Sequence, residues 1–466
     1  MSTDPYPAVD ALIDRVLQHV EDWEQSWGAF DRHSSLGVDP DRLDAAFDEY
    51  LERLEGNYPF HHPRYAGQML KPPHPVAVAA YVAAQRINPN NHALDGGPPT
   101  SQMEKEVVAD LADMLGLPDT TLGHLTGGGT VANLEALWVA RELHPDKALA
   151  VPENAHYTHG RMSEVLDVEV VPVPADARGR IDLDALRRVL EQHSIGTVVL
   201  TAGTTGLGAV DPIDAGVPLC EAHDARVHVD AAYGGFFRLL TEKDAPEIED
   251  FPTERFRAIA EADSVAIDPH KHGLQPYGCG CILFRDPAVG RFYQHDSPYT
   301  YFTSDDLHLG EISLECSRAG AAAGALWCTL QALPLAPNEG LGPILVAGLR
   351  AARTWTDAVE DSDALRVIAP PETDIVSYAP ATGTESLSAV HEASQALLDA
   401  AMNDPDDPIY TSVYRLSADA LTALHPSLTA DRDEAAILRS VLMKPEHETY
   451  AEPLVEQLSA LAEEIV

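Results

Sequence analysis

Apolar residues return every three or four positions from Leu12 through Ile13, Val16, Leu17 and Val20 to Trp23, a spacing that predicts an amphipathic helix. A second helix is predicted where Asp39 can cap and Pro40 can open the first turn, with Leu43, Phe47, Tyr50, Leu51 and Leu54 on one stripe. Both stripes need a surface to cover them, either the body of the protein or another subunit. The run YPFHHPRYAGQMLKPPHP, 58–75, breaks the period and reads as loop. Ser101 and Glu104 have capping-box spacing ahead of a helix that carries Met103, Val107, Leu111 and Leu115 and stops at Gly116. Beyond it, short β-branched runs alternate with helical stretches: ALAVP (148–152), VEVVPVP, TVVLTAG (197–203), RVHVD (226–230), SVAID (264–268) and GCILFRD. Strands alternating with helices predict an α/β fold with a mostly parallel sheet covered on both faces, and such sheets place ligands beyond the carboxyl ends of their strands.

After about residue 335 the texture changes: LRVIAP, DIVSYAP, YTSVYRL and AILRSVLMKP read as strands among helices, closed by YAEPLVEQLSALAEEIV. This predicts a smaller α/β unit joined through the helix around GALWCTLQAL. The expected division is a helical segment at 1–75, a large domain at 76–335 and a small domain at 336–466.

Charge narrows the choice of partner. The 466 residues carry 74 acidic and 31 basic side chains, a net charge of −43. A surface this negative repels phosphate backbones and anionic headgroups, so nucleic acid and membrane are poor partners. The acids are spread among apolar periodic segments, as expected of a folded protein in a salt-rich cytosol where screening tames self-repulsion. Five cysteines without a C-x-x-C pair, an opening without a signal-peptide pattern and no apolar run of membrane length point to a cytoplasmic protein. Only six lysines occur, and most fit an ordinary surface role.

Four motifs fall where strands end. HLTGGGTVANLEALWVA runs three glycines into a helix with Thr130 at its start, a pattern that offers N–H groups and a hydroxyl to a phosphate and equally describes a tight turn. HVDAAYGG puts Asp230 at the end of a core strand, where a carboxylate is costly without a cation or donors; capping the next turn is the plain alternative. TAGTTGLGAVDP brings the hydroxyls of Thr204 and Thr205. DPHKHG sets Lys271 just after a core strand, where a desolvated amine could attack a carbonyl; a solvated loop lysine is the commoner case. Taken jointly, a phosphate cradle, a buried acid, hydroxyls and an amine are what pyridoxal phosphate requires. His156 and His159 could also pair as metal ligands, but no convincing third ligand lies near them in sequence, so no metal is expected.

These segments resemble the pyridoxal-dependent amino-acid decarboxylases, the group that includes glutamate, aromatic-amino-acid and archaeal tyrosine/aspartate decarboxylases, over roughly 60–320 and 436–447. The resemblance implies an aspartate-aminotransferase-like fold (pyridoxal fold type I), with a seven-stranded sheet in the large domain, and a homodimer. It implies that Lys271 forms the imine with the cofactor, that Asp230 meets the ring nitrogen, that Ala232 packs under the ring and that His156 stacks over it. It places Gly129, Thr130 and Ser264 on the phosphate, Thr205 and His270 beside the cofactor, and Asp268 where aromatic decarboxylases carry Asn and the archaeal branch carries Asp. HPRYAGQML and LRSVLMKP resemble the substrate-contacting segments, which makes Gln68 a side-chain-pocket candidate and Arg439 the carboxylate partner. The family's loop tyrosine, the proton donor, corresponds to Tyr299 or Tyr301. The expected reaction is decarboxylation of an acidic amino acid, aspartate or glutamate. The alternatives are an aromatic substrate such as tyrosine, transamination or lysis on the same scaffold, and a binding protein without turnover. The insert NPNNHALDGGPP has no assigned role.

Overall fold

The structure is a computed structural model that describes residues 6–294 and 309–466. Seven strands, β1 (Leu122–Thr126), β2 (Ala148–Pro152), β3 (Val170–Val173), β4 (Ile195–Thr201), β5 (Arg226–Asp230), β6 (Ser264–Ile267) and β7 (Gly280–Phe284), form one sheet in the order β1-β7-β6-β5-β4-β2-β3. All pairings among β2 to β6 are parallel, and β7 runs antiparallel to both its neighbours. β1, β2, β4, β6 and β7 are buried along their whole length, as their largely apolar and β-branched runs favour in a sheet covered on two faces. A second sheet in the C-terminal region, β8 (Leu365–Ala369), β9 (Ile375–Pro380), β10 (Ser412–Ser417) and β11 (Glu434–Val441), is antiparallel throughout in the order β10-β11-β9-β8. Its core centres on Trp355 and Tyr378.

The two N-terminal helices form as their spacing requires: α1 spans Val9–Ser26 and α2 spans Pro40–Leu54, the latter capped by Asp39, which accepts from Arg42 N at 3.0 Å. Their stripes meet different fates. α1 lies against α3 (Pro75–Ile87) and fixes itself by a two-pronged bond from Arg86 to Glu24 at 3.2 and 2.8 Å. α2 buries no residue, and Leu43, Phe47, Tyr50, Leu51 and Leu54 face outward.

Helix α3 was not legible because its first residue, Pro75, closes a Pro- and His-rich run that reads as loop; His74 caps it by accepting from Val76 N. The expected capping box is also corrected. The helix α4 spans Pro98–Leu115, with Pro at its first positions where no N–H is needed, so Ser101 and Glu104 lie inside it. Glu104, fully buried, instead pairs with Arg318 and accepts from Leu125 N and Asn91 Nδ2. That bond gives the 88–99 insert a role: Asn91 also accepts from Thr100 and offers its carbonyl to Arg318, so the insert seals a buried ion pair.

The lysines depart from the surface role expected of them, since Lys71 and Lys444 are buried. Lys71 Nζ donates to Met443 O at 3.0 Å and Lys444 Nζ to Tyr65 O at 2.5 Å, tying the 65–71 segment to the end of β11. Burial lowers Lys71 to about 8 and Lys444 to about 7. The unfolded chain keeps both protons up to its ordinary lysine range, near 10.5. Unfolding between these values therefore takes up protons, and each adds about 1.4 kcal/mol of stability per unit rise in pH. At pH 8 a Lys444→Met variant should take up about one proton fewer than wild type on unfolding. Calorimetry in buffers of different ionisation enthalpy measures this, and equal uptake would contradict the burial of a depressed Lys444.

Candidate active site

The carboxyl ends of β4, β5 and β6 open on a cavity of ≈ 280 Å³, close to the lower end of the ~300–1,000 Å³ usual for small-molecule sites. Gly127 to Val131, Asn133, His156, Thr205, Asp230, Ala232, Asp268, His270 and Lys271 are among the residues that line it.

The glycine run turns from β1 into the helix α5 (Gly129–Leu143). Gly128 has φ +145°, a conformation closed to side chains, and a Cβ on Gly129 would stand 2.8 Å from Asp268 Oδ2. The N–H of Gly127 is taken by Glu315 at 2.7 Å and that of Gly128 by Thr126 Oγ1 at 3.3 Å. The N–H groups of Gly129 and Thr130 begin the helix, beyond reach of any helical carbonyl, and Thr130 Oγ1 lies 3.2 Å from Thr158 Oγ1.

Asp230 ends β5 at 5% exposure. Its Oδ2 accepts from His159 Nε2 at 2.9 Å and its Oδ1 from Ala232 N at 3.1 Å. Burial alone would raise this carboxyl. The bond from His159 and the charges of His159, His228 and Lys271 outweigh it and hold the group well below the usual carboxylate range. Burial lowers His156, whose Nδ1 accepts from Thr158 N at 3.3 Å. Lys271 Nζ is 3.0 Å from Asp268 Oδ2, while Asp268 Oδ1 is buried with no partner among the described residues. His270 donates through Nδ1 to Cys279 O at 2.9 Å, and burial holds it below the ordinary histidine value.

Ser264 is not brought to this cavity. It begins β6, at the end of the strand away from the opening, and its hydroxyl meets His228 Nδ1 at 2.9 Å. His228 Nε2 meets Asn133 Oδ1 at 2.8 Å, so Ser264 acts on the cavity wall only through two intervening side chains. A single sequence could not reveal this, because both ends of a short buried strand read alike. Sequence reasoning gave His159 only as a neighbour of His156 and missed its bond to Asp230 at 2.9 Å. Asn133 and His228 were missed altogether.

Arg439 on β11 is 5% exposed. It donates to the carbonyl of Thr205, to Gly67 O at 3.2 Å, to Gln68 Oε1 at 3.3 Å and to Ser412 Oγ at 3.2 Å. Every acceptor is neutral; among the described residues no carboxylate pairs with this buried cation. Tyr65, Tyr233 and Tyr414 are its aromatic neighbours. Gln68 is thus joined to Arg439, and both adjoin the cavity through Thr205. Tyr299 and Tyr301 lie outside the described residues.

Comparison with known proteins gives this arrangement a family. The sequence profile of the pyridoxal-dependent decarboxylase conserved domain matches residues 39–379. The chain belongs to that family. Among relatives, it is 29% identical to a probable L-tyrosine/L-aspartate decarboxylase of Methanothermobacter thermautotrophicus, over 70% of this chain and 85% of the relative. It is 30% identical to an L-aspartate decarboxylase of Thermococcus kodakarensis, over 75% and 86%. Its fold is similar to that of Oryza sativa TDC crystallised with PLP and tryptamine, with a TM-score of 0.77 over the full length of both chains at 18% identity. The fold is pyridoxal type I, and the protein is a pyridoxal-phosphate-dependent amino-acid decarboxylase.

The decarboxylase's own residues fit the cofactor. The cavity holds an amine on Lys271, a buried anion on Asp230 and, at Gly129 and Thr130, helical N–H groups that meet no acceptor among the described residues. Among the described residues the Oδ1 of Asp268 is a buried acceptor without a donor.

Proposed function

We propose that this protein removes the α-carboxyl group of an acidic L-amino acid, aspartate or glutamate, as CO₂ and releases the corresponding amine. The observation that carries the amino-acid reading is Arg439, a buried guanidinium facing only neutral acceptors and so suited to the α-carboxylate of an amino acid, while the acidic preference rests on Gln68 beside it. Such a cation is costly until an anion reaches it. Gln68 Oε1 accepts from Arg439, which leaves the amide NH₂ of Gln68 as a donor for a side-chain carboxylate. The aspartate decarboxylase relative supports this choice. The tyrosines around Arg439 favour a second reading, an aromatic substrate such as tyrosine.

Bound pyridoxal phosphate supplies an electron sink for the bond broken at Cα. Lys271 is the amine that would hold the cofactor covalently. Asp230 would keep the ring nitrogen protonated, and Ala232 and His156 would pack on the cofactor ring. Gly129 and Thr130 would hold the phosphate, Thr205 and His270 would flank the cofactor, and Asp268 orders Lys271. Arg439 orients the substrate more than it stabilises it, because a carboxylate bound too tightly in the ground state would slow its own departure. Tyr299 or Tyr301 returns the proton to Cα.

The protein acts as a homodimer, and the outward apolar stripe of α2 supports this by offering a face that water covers poorly. The division into 1–75, 76–335 and 336–466 remains our reading of its domains. The net charge of −43 supports a cytoplasmic protein of a salt-loving organism. Among the described residues, no helix is long and apolar enough to cross a membrane.

The test is an Arg439→Gln variant assayed with L-aspartate, L-glutamate and L-tyrosine. For an acidic substrate, kcat/KM should fall about 10- to 100-fold with most of the loss in KM, the worth of a hydrogen-bonded ion pair. Wild type preferring tyrosine would move the substrate to the second reading. An unchanged KM in the variant would remove Arg439 from substrate binding.

A further inference from the structure

His159 is completely buried on α6 (Thr158–Leu166), and among the described residues its side chain has one hydrogen-bond partner, Asp230, at 2.9 Å. Its Nδ1 is buried with no partner among the described residues. Ser163 Oγ bonds its backbone carbonyl at 2.7 Å and anchors the turn, and the ring of His228 lies 6.3 Å away. A buried imidazole with one unsatisfied nitrogen is a poor way to fill space, since a phenylalanine would occupy a similar volume without a stranded polar atom. The polar edge is retained for what its other nitrogen does.

That nitrogen meets one oxygen of Asp230, and the N–H of Ala232 meets the other at 3.1 Å. Donors from two different elements therefore grip the carboxylate and fix its plane at the strand end. Each oxygen still keeps a lone pair for the cavity.

We infer that His159 is a positioning residue acting through Asp230: it fixes the carboxylate in the orientation that receives the ring N–H of the cofactor, and so governs how tightly that cofactor is held. The inference rests on the cofactor reading above and concerns cofactor affinity rather than substrate. A preoriented anion need not reorganise when the ring arrives, whereas a free one would lose rotational freedom on meeting it.

The experiment measures the dissociation constant of pyridoxal phosphate, and its visible absorbance when bound, for the wild-type holoenzyme, His159→Phe and His159→Gln. His159→Phe should bind about 10- to 100-fold more weakly, the worth of one hydrogen bond to a charged group, and with an altered spectrum. His159→Gln, which can place a donor at the same depth, should recover most of the affinity and the wild-type spectrum. In an Asp230→Asn background, His159→Phe should change affinity by less than about 2-fold, as it no longer has a charge to orient. His159→Met serves as a second donor-less variant, read in the same way should His159→Phe fail to fold. Donor-less variants that match wild type in affinity and spectrum overturn the inference alone. An equal loss in the Asp230→Asn background also overturns it and makes His159 a packing residue. Wild type that fails to take up the cofactor overturns the cofactor reading and the inference together.

Discussion

Replacing Lys271 with alanine should lower turnover by about 10⁴-fold or more, the scale on which removal of a covalent catalytic group is felt. The variant should still fold and take up pyridoxal phosphate non-covalently, but the visible absorbance that reports the covalent link should vanish. The reasoning starts from place. Lys271 follows β6 by four residues, in a turn closed by the bond from its own N–H to Asp268 O at 2.9 Å, and its Nζ lies 3.0 Å from the Asp268 carboxylate at the cavity wall. Asp268 is therefore an anchor that holds the amine at one depth in the cavity. Alanine removes the amine and leaves the glycine loop, Asp230 and His156 untouched, which separates covalent chemistry from binding. Absorbance and turnover measured on the same preparation check this. Turnover within about tenfold of wild type would assign the amine to another residue.

Asp230→Asn should cost about 10²- to 10³-fold in kcat with a much smaller change in KM. Asparagine keeps the shape and one acceptor but loses the charge, so the ring nitrogen gives up its proton more readily and the ring takes electrons less well. Asp230 is ionised in spite of its burial because His159, His228 and Lys271 supply opposing interactions. The loss should thus appear in the chemical step, not in substrate capture. Rates under saturating substrate against rates under limiting substrate separate the two. A loss confined to KM would mean that Asp230 shapes the pocket and does not tune the cofactor.

Much of the fold was legible because its strands are short, rich in apolar and β-branched residues and flanked by turn residues; β2, β4, β5, β6 and β7 stand where the sequence places them to within a residue or two. Helix boundaries governed by proline were not. Pro75 and Pro98 start helices at positions that a reading of loops and capping residues treats as interruptions, and Glu104 was read as a cap although its partner, Arg318, is 214 residues away. Long-range pairs of this kind leave no periodic trace in one chain.

The site divides along the same line. Lys271, Asp230, Ala232, Gly129, Thr130 and Thr205 lie within one residue or a few of strand ends, and a parallel sheet brings such positions together by construction, so their meeting at one cavity could be anticipated. Ser264 stood in the same motif as Lys271, but the length of β6 carries it to the far end of the strand. His159 could be seen only as a neighbour of His156, because which way a histidine on a short helix points depends on the strand it packs against. Lys71 and Lys444 show the opposite limit: nothing local marks a lysine whose ammonium donates to a backbone carbonyl on a distant segment.

The measurement that bears most directly on the account is CO₂ release from L-aspartate labelled in its α-carboxyl group, with purified protein and pyridoxal phosphate, alongside quantification of the amine. The account predicts labelled CO₂ and amine in equal amounts, with aspartate or glutamate turned over faster than tyrosine, and no release from the Lys271→Ala variant. Bound cofactor with Lys271-dependent absorbance, but no CO₂ from any amino acid, would contradict decarboxylation.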